Sequence, residues 1–97
     1  VDRNRIQQCG FTEDVMSLEP YKQKWEAFGW HVLEIDGHNM KEIVNILKKT
    51  PYVDQMPTLI ISNTIKGKGV SFMENRFESH YEVLDKKKYH EAIKKIK

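Results

Sequence analysis

From Val15 onward the apolar side chains follow two different periods. Leu18, Tyr21, Trp25 and Phe28 recur at helical spacing, Pro20 suits a first turn, and Gly29 stands where a helix ends on a left-handed residue. This predicts a helix over residues 17–28. Trp30 to Ile35, with Val32 and Leu33 inside it, predicts a short strand stopped by the turn pair Asp36-Gly37. Asn39 and Glu42 form a capping pair for a second helix over residues 39–49, with Met40, Ile43, Val44 and Leu47 as its apolar face. Lys48 and Lys49 suit the dipole of its last turn, and Pro51 lies where that helix has already stopped. Pro57 opens Thr58-Leu59-Ile60-Ile61, a continuous apolar run of the kind found in a parallel strand covered on both faces. After Gly67 and Gly69 comes an irregular stretch to residue 84. Asp85 then caps a last helix with Tyr89, Ala92, Ile93 and Ile96 on one face and its lysines mainly on the other.

The order strand, helix, strand, helix, strand, loop, helix calls for crossover connections, and therefore for an α/β fold with a parallel sheet and flanking helices. The three strands are expected to end near Asp2, Ile35 and Ser62. Ligands of open parallel sheets bind beyond the carboxyl ends of the strands, which draws attention to loops 3–12, 36–39 and 64–82. Val1-Asp2 reads as the end of a strand rather than a natural start, so the chain is expected to be a piece of a longer protein.

The chain has 97 residues, enough for one modest core, expected as one partial domain with residues 1–84 as its α/β portion and 85–97 as a basic terminal helix. With 39% hydrophobic and 31% charged residues and no apolar run near the roughly 20 residues of a membrane helix, no membrane association is expected. The net charge of +2 is too small to argue for a polyanion partner, and the six lysines after residue 85 read as the solvated face of one helix rather than a nucleic-acid site. Cys9 is the single cysteine, so no intrachain disulfide forms and a cytoplasmic location is the default.

The segment Asp2-Arg3-Asn4-Arg5-Ile6-Gln7-Gln8-Cys9-Gly10 resembles the second half of the thiamine diphosphate-binding motif of the transketolase family. The resemblance continues through Thr12-Glu13-Asp14-Val15, Trp25-Glu26-Ala27-Phe28-Gly29-Trp30, Asp36-Gly37-His38 and Pro57-Thr58-Leu59-Ile60-Ile61. It runs on through Thr64 to Asn75 and reaches His80, so it covers most of residues 1–80 in family order and spacing. It is greatest to the end of the N-terminal subunit of bacterial transketolases made as two chains.

That resemblance implies a partial thiamine diphosphate-binding fold, thiamine diphosphate and Mg2+ as cofactors, and transfer of a two-carbon ketol unit between sugar phosphates, as in the pentose phosphate pathway. It implies that Asn4, through its side-chain oxygen, and Ile6, through its backbone carbonyl, are metal ligands; both are hard oxygens of the type magnesium takes. The family completes the shell with the diphosphate and an Asp from an upstream Gly-Asp-Gly, which does not occur in these 97 residues. Ile65 falls at an apolar cofactor contact. His80 matches a catalytic histidine near the diphosphate and substrate, where an imidazole holds or moves a proton because its unperturbed pKa is near neutrality. The flanking Ser79 and Tyr81 replace the family's Trp and Gly, Gln8 replaces an apolar residue against the cofactor, and Cys9 occupies a position commonly acidic. Arg3 and Arg5 bring two positive charges beside the cation site, which a diphosphate offsets.

The partner implied is a C-terminal subunit carrying the pyrimidine-binding domain, in an oligomer, and the chain alone is expected to be inactive. Two other readings stay open: a related thiamine diphosphate enzyme, and a non-catalytic domain that binds a protein partner. His31, His38 and His90 read as structural or solvent-facing, Asp36-Gly37 as a turn, Lys66 and Lys68 as a solvated loop, and Cys9 as an incidental thiol.

Overall fold

The computed structural model describes residues 1–96; Lys97, the last residue assigned to the basic helix, lies outside them. The chain forms β1 (Asp2–Arg3), β2 (Ile6–Gln7), β3 (Gly10–Phe11), α1 (Thr12–Val15), α2 (Tyr21–Ala27), β4 (His31–Asp36), α3 (Met40–Lys48), β5 (Thr58–Asn63), a one-turn 3-10 helix (Glu78–His80) and α4 (Lys86–Ile96). These fall into two compact units. One consists of Val1–Asn4 with Ser17–Thr64, the other of Arg5–Met16 with the chain from Ile65 onward.

The first unit is built on a three-stranded sheet, parallel as expected, in the order β1-β5-β4. β5 is the middle strand and carries Ile61, only 1% exposed, beside Val32 of β4 at 4%. Thr58, Leu59 and Ile60 are half-buried. On α3, Ile46 is buried and Ile43 half-buried, whereas Met40, Val44 and Leu47 are exposed. The expected apolar face is thus rotated: Ile43, Ile46 and Leu47, at i, i+3 and i+4, line a groove with Val1, Ile35, Ile60 and Ser62.

Local signals placed α3 well. Asn39 Oδ1 accepts hydrogen bonds from the Lys41 and Glu42 amides at 3.1 and 3.3 Å, and Glu42 returns to the Asn39 side chain and the Asp36 amide. The helix expected from residue 17 starts only at Tyr21. Pro20 lies at the N-cap position with φ −75° and ψ 101°, and the residue before a proline is driven away from the helical region. Along α2 an aromatic row runs edge to face, Tyr21 to Trp25 at 6.3 Å and Trp25 to Trp30 at 5.5 Å.

In the second unit the stretch read as a loop contains an antiparallel hairpin, β2 with β3, followed directly by α1. Strands of two residues are too short to show a period. α4 begins as expected, with Asp85 accepting the Lys88 amide at 2.7 Å. Of its four apolar residues only Ala92 is buried; Tyr89, Ile93 and Ile96 are exposed. Among the described residues no helix is long and apolar enough to cross a membrane.

Candidate functional site

In the first unit the carboxyl ends of all three strands lie level. Arg3 pairs with Asn63 and Asn63 with Asp36, so Asn4, Thr64 and Gly37 stand one step beyond them. The Thr64 amide donates to the Arg3 carbonyl at 3.4 Å, its hydroxyl bonds to the Asp2 carboxylate, and the Gly37 amide donates to the Asn63 carbonyl at 2.8 Å. A Cβ on Gly37 would lie 2.5 Å from Thr64 Cγ2, so a larger residue there requires the Thr64 side chain to move. Asn4 is half-buried at this edge.

Asp36 performs the turn role expected of it. Its carboxylate accepts the His38 amide at 2.9 Å and its carbonyl the Asn39 amide at 3.1 Å. His31 stacks on Tyr52 at 5.8 Å, and the His90 Nδ1 lies 2.6 Å from the Lys86 carbonyl, both structural contacts.

The other three site residues belong to the second unit. Arg5 takes φ 61°, a left-handed conformation uncommon for a side-chain-bearing residue, and its carbonyl accepts the Thr12 amide at 2.9 Å. Ile6 follows in β2, half-buried and paired with Phe11. Ile65 is half-buried, and its carbonyl accepts the Lys68 amide at 3.2 Å. His80 is exposed at the end of the 3-10 turn, its ring edge-on to Tyr81 at 5.1 Å.

The Lys66-Gly67-Lys68-Gly69 turn closes on itself. The Asn75 amide reaches the Lys66 carbonyl at 3.0 Å and the Gly69 amide reaches Glu74 Oε1 at 2.9 Å. Gly67, at φ 75°, would place a Cβ 2.7 Å from the Met73 carbonyl oxygen. The close approach that glycine permits here is therefore to the chain's own backbone.

Gln8 and Cys9, at the hairpin turn, border a cavity of about 530 Å³ with Arg76, Phe77, Glu78, Tyr81 and Glu82. Glu82 is held below the usual carboxylate range by its hydrogen bond to Lys88 and by the Lys88 charge. Arg76 pairs with Glu78 at 3.6 Å. Among the described residues no three His, Cys, Asp or Glu side chains gather as a metal site, so a metal held here would need ligands of another kind.

Residues 1–96 match the family described as transketolase, thiamine diphosphate binding domain. The chain belongs to the transketolase family. It is 45% identical over 96 residues to an apulose-4-phosphate transketolase chain of Phocaeicola vulgatus, named as one subunit of that enzyme, and 42% over 95 residues to the 6-deoxy-6-sulfo-D-fructose transketolase subunit SqwG of Clostridium sp.. These alignments take in 99% and 98% of the chain and 34% of each relative. Human transketolase is 30% identical over 96 residues, 99% of the chain and 15% of that protein. The chain thus spans about a third of the length of the two subunits it matches.

Sequence reasoning overlooked one group at this edge of the transketolase domain. Arg3 read as one of two positive charges beside the cation site, but its side chain is 5% exposed and turned to Glu19 and Tyr21. A buried arginine interrupts the apolar pattern and leaves no periodic signal. Only the proximity of Arg3, Glu19 and Tyr21 in three dimensions reveals it.

Proposed function

We propose that this chain is part of a transketolase subunit, lending oxygen ligands and a histidine to a thiamine diphosphate site completed by other segments and by a partner with the pyrimidine-binding domain. The observation that carries the proposal is Asn4 at the carboxyl end of a parallel strand, within a chain that matches the thiamine diphosphate-binding family over residues 1–96. The donors fit magnesium: an amide oxygen on Asn4 and the backbone carbonyl of Ile6 are neutral, hard oxygens, with the left-handed Arg5 between them in sequence. Two such ligands make a partial shell, and the cofactor's phosphate oxygens and water are of the right type for the rest. Bound thiamine diphosphate supplies the carbanion chemistry by which a two-carbon ketol unit leaves one sugar and joins another.

Ile65 lends apolar surface to the cofactor. His80, exposed on its turn, holds or passes a proton on the diphosphate and substrate side. The names of the two bacterial relatives, one a sugar phosphate enzyme and the other a sulfo-sugar enzyme, support a ketose whose far end carries a phosphate or a like anion. A cytoplasmic, oligomeric enzyme is the setting this reading requires, and the chain by itself is expected to be inactive.

The test uses the natural full-length protein in complex with its partner. Asn4→Ala is expected to abolish most magnesium-dependent binding of thiamine diphosphate in calorimetry, and His80→Ala to lower turnover with sugar phosphates while circular dichroism stays unchanged. Unaltered magnesium dependence in Asn4→Ala refutes the ligand assignment. Unaltered turnover in His80→Ala returns that residue to the surface role.

A further inference from the structure

β1 is only two residues long and pairs with β5 through Asp2 and Arg3. Its side chains pin it on both faces. Asp2 bonds to the Thr64 hydroxyl, and Arg3, on the opposite face, extends Nη2 to Glu19 Oε1 at 3.0 Å. The other oxygen of Glu19 accepts the Tyr21 amide, the first of α2, at 2.9 Å. The Tyr21 ring then returns over the Arg3 guanidinium, 5.3 Å from its carbon to the ring centroid. One carboxylate therefore ties the end of β1 to the start of α2, and the aromatic row Tyr21, Trp25, Trp30 carries the anchor into the packing of the first unit.

We propose that Arg3 is a positioning residue, which with Glu19 and Tyr21 fixes the direction in which the next residue, Asn4, presents its side-chain oxygen to magnesium. The proposal rests on the reading of Asn4 as a metal ligand. The guanidinium suits the task because its planar fork meets a carboxylate and an aromatic face at once, which an ammonium does less well. Arg3 is nearly buried while Glu19 is 53% exposed, so Glu19 can be altered mildly without opening the core. Support around a metal ligand commonly changes metal affinity without changing which atoms bind.

The experiment is a magnesium titration of thiamine diphosphate binding, by calorimetry, in the natural full-length protein in complex with its partner. Glu19→Gln keeps the shape of the side chain and removes its charge; it is expected to raise the magnesium concentration at half-saturation about tenfold. Arg3→Lys is expected to shift it in the same direction by a smaller factor. Because Arg3 and Glu19 act through Asn4, Glu19→Gln is expected to add nothing in an Asn4→Ala background, where a merely structural role would multiply the two effects. Should Glu19→Gln lose its near-ultraviolet circular dichroism, Tyr21→Leu, which removes the ring from the guanidinium, carries the same test. A folded Glu19→Gln or Tyr21→Leu variant with wild-type magnesium dependence, beside an Asn4→Ala variant that has lost it, overturns the positioning role and leaves the ligand assignment standing. Multiplying effects in the double variant overturn it as well. Wild-type magnesium dependence in Asn4→Ala itself removes the ligand, and the positioning role with it.

Discussion

Two glycines in one loop separate backbone strain from steric overlap. Gly67 and Gly69 both have positive φ, 75° and 94°, so alanine at either must adopt the left-handed conformation, which costs about 1–2 kcal/mol. Their surroundings differ. A Cβ at Gly69 meets nothing within 4 Å, whereas one at Gly67 lies 2.7 Å from the Met73 carbonyl oxygen and 2.8 Å from its carbon. Those atoms belong to backbone fixed by the Met73 amide bond to Val70 and the Asn75 amide bond to Lys66, so they cannot swing aside as a side chain end would. Overpacking of that kind adds about 1–3 kcal/mol. Gly69→Ala is therefore expected to cost about 1–2 kcal/mol and Gly67→Ala about 2–5 kcal/mol. Urea unfolding of the natural full-length protein, followed by far-ultraviolet circular dichroism, reads both as shifts of the midpoint at constant slope. Hydrogen exchange localises the damage: the Asn75 and Glu74 amides should lose protection in Gly67→Ala and keep most of it in Gly69→Ala. Equal costs for the two variants would refute the claim that Gly67 is required by close approach to Met73.

Asn39→Ala removes the cap of α3 and is expected to cost about 1 kcal/mol, with the Lys41 and Glu42 amides exchanging faster; unchanged exchange there shows the cap to be idle. The Glu82 carboxyl is lowered in the folded chain by Lys88, so its contribution to stability is present above the ordinary carboxylate pKa and is lost as pH falls through the lowered one. Lys88→Met is expected to bring the Glu82 titration, followed by carboxyl carbon NMR, back up toward its ordinary range and to remove that part of the acid sensitivity. An unmoved titration argues that the ion pair does not persist in solution.

Much of this protein was legible in one dimension because it rests on short-range chemistry. The Asn39 cap with Glu42, the Asp36-Gly37 turn and the Asp85 cap of α4 each involve groups within a few residues of one another, and all three appear where the pattern puts them. The parallel strands were legible too, since a continuous apolar run between helices of crossover length has few other uses. The transketolase resemblance rests on residue identity in order, which a family match over residues 1–96 bears out.

Tertiary structure decided what depends on partners distant in sequence. The order β1-β5-β4 makes the last strand of the chain the central one, and no local signal ranks strands that way. The hairpin of β2 and β3 has two residues per strand, too few for alternation to register. α2 starts at Tyr21 because backbone sterics at Pro20 outweigh an apolar period that began at Leu18. On α3 the fold buries Ile46 and half-buries Ile43, leaving Met40, Val44 and Leu47 of the same apolar surface exposed. Arg3 shows the difference most directly. Sequence alone makes it one of two positive charges beside the cation site, and only folding brings its guanidinium to Glu19 and the Tyr21 ring.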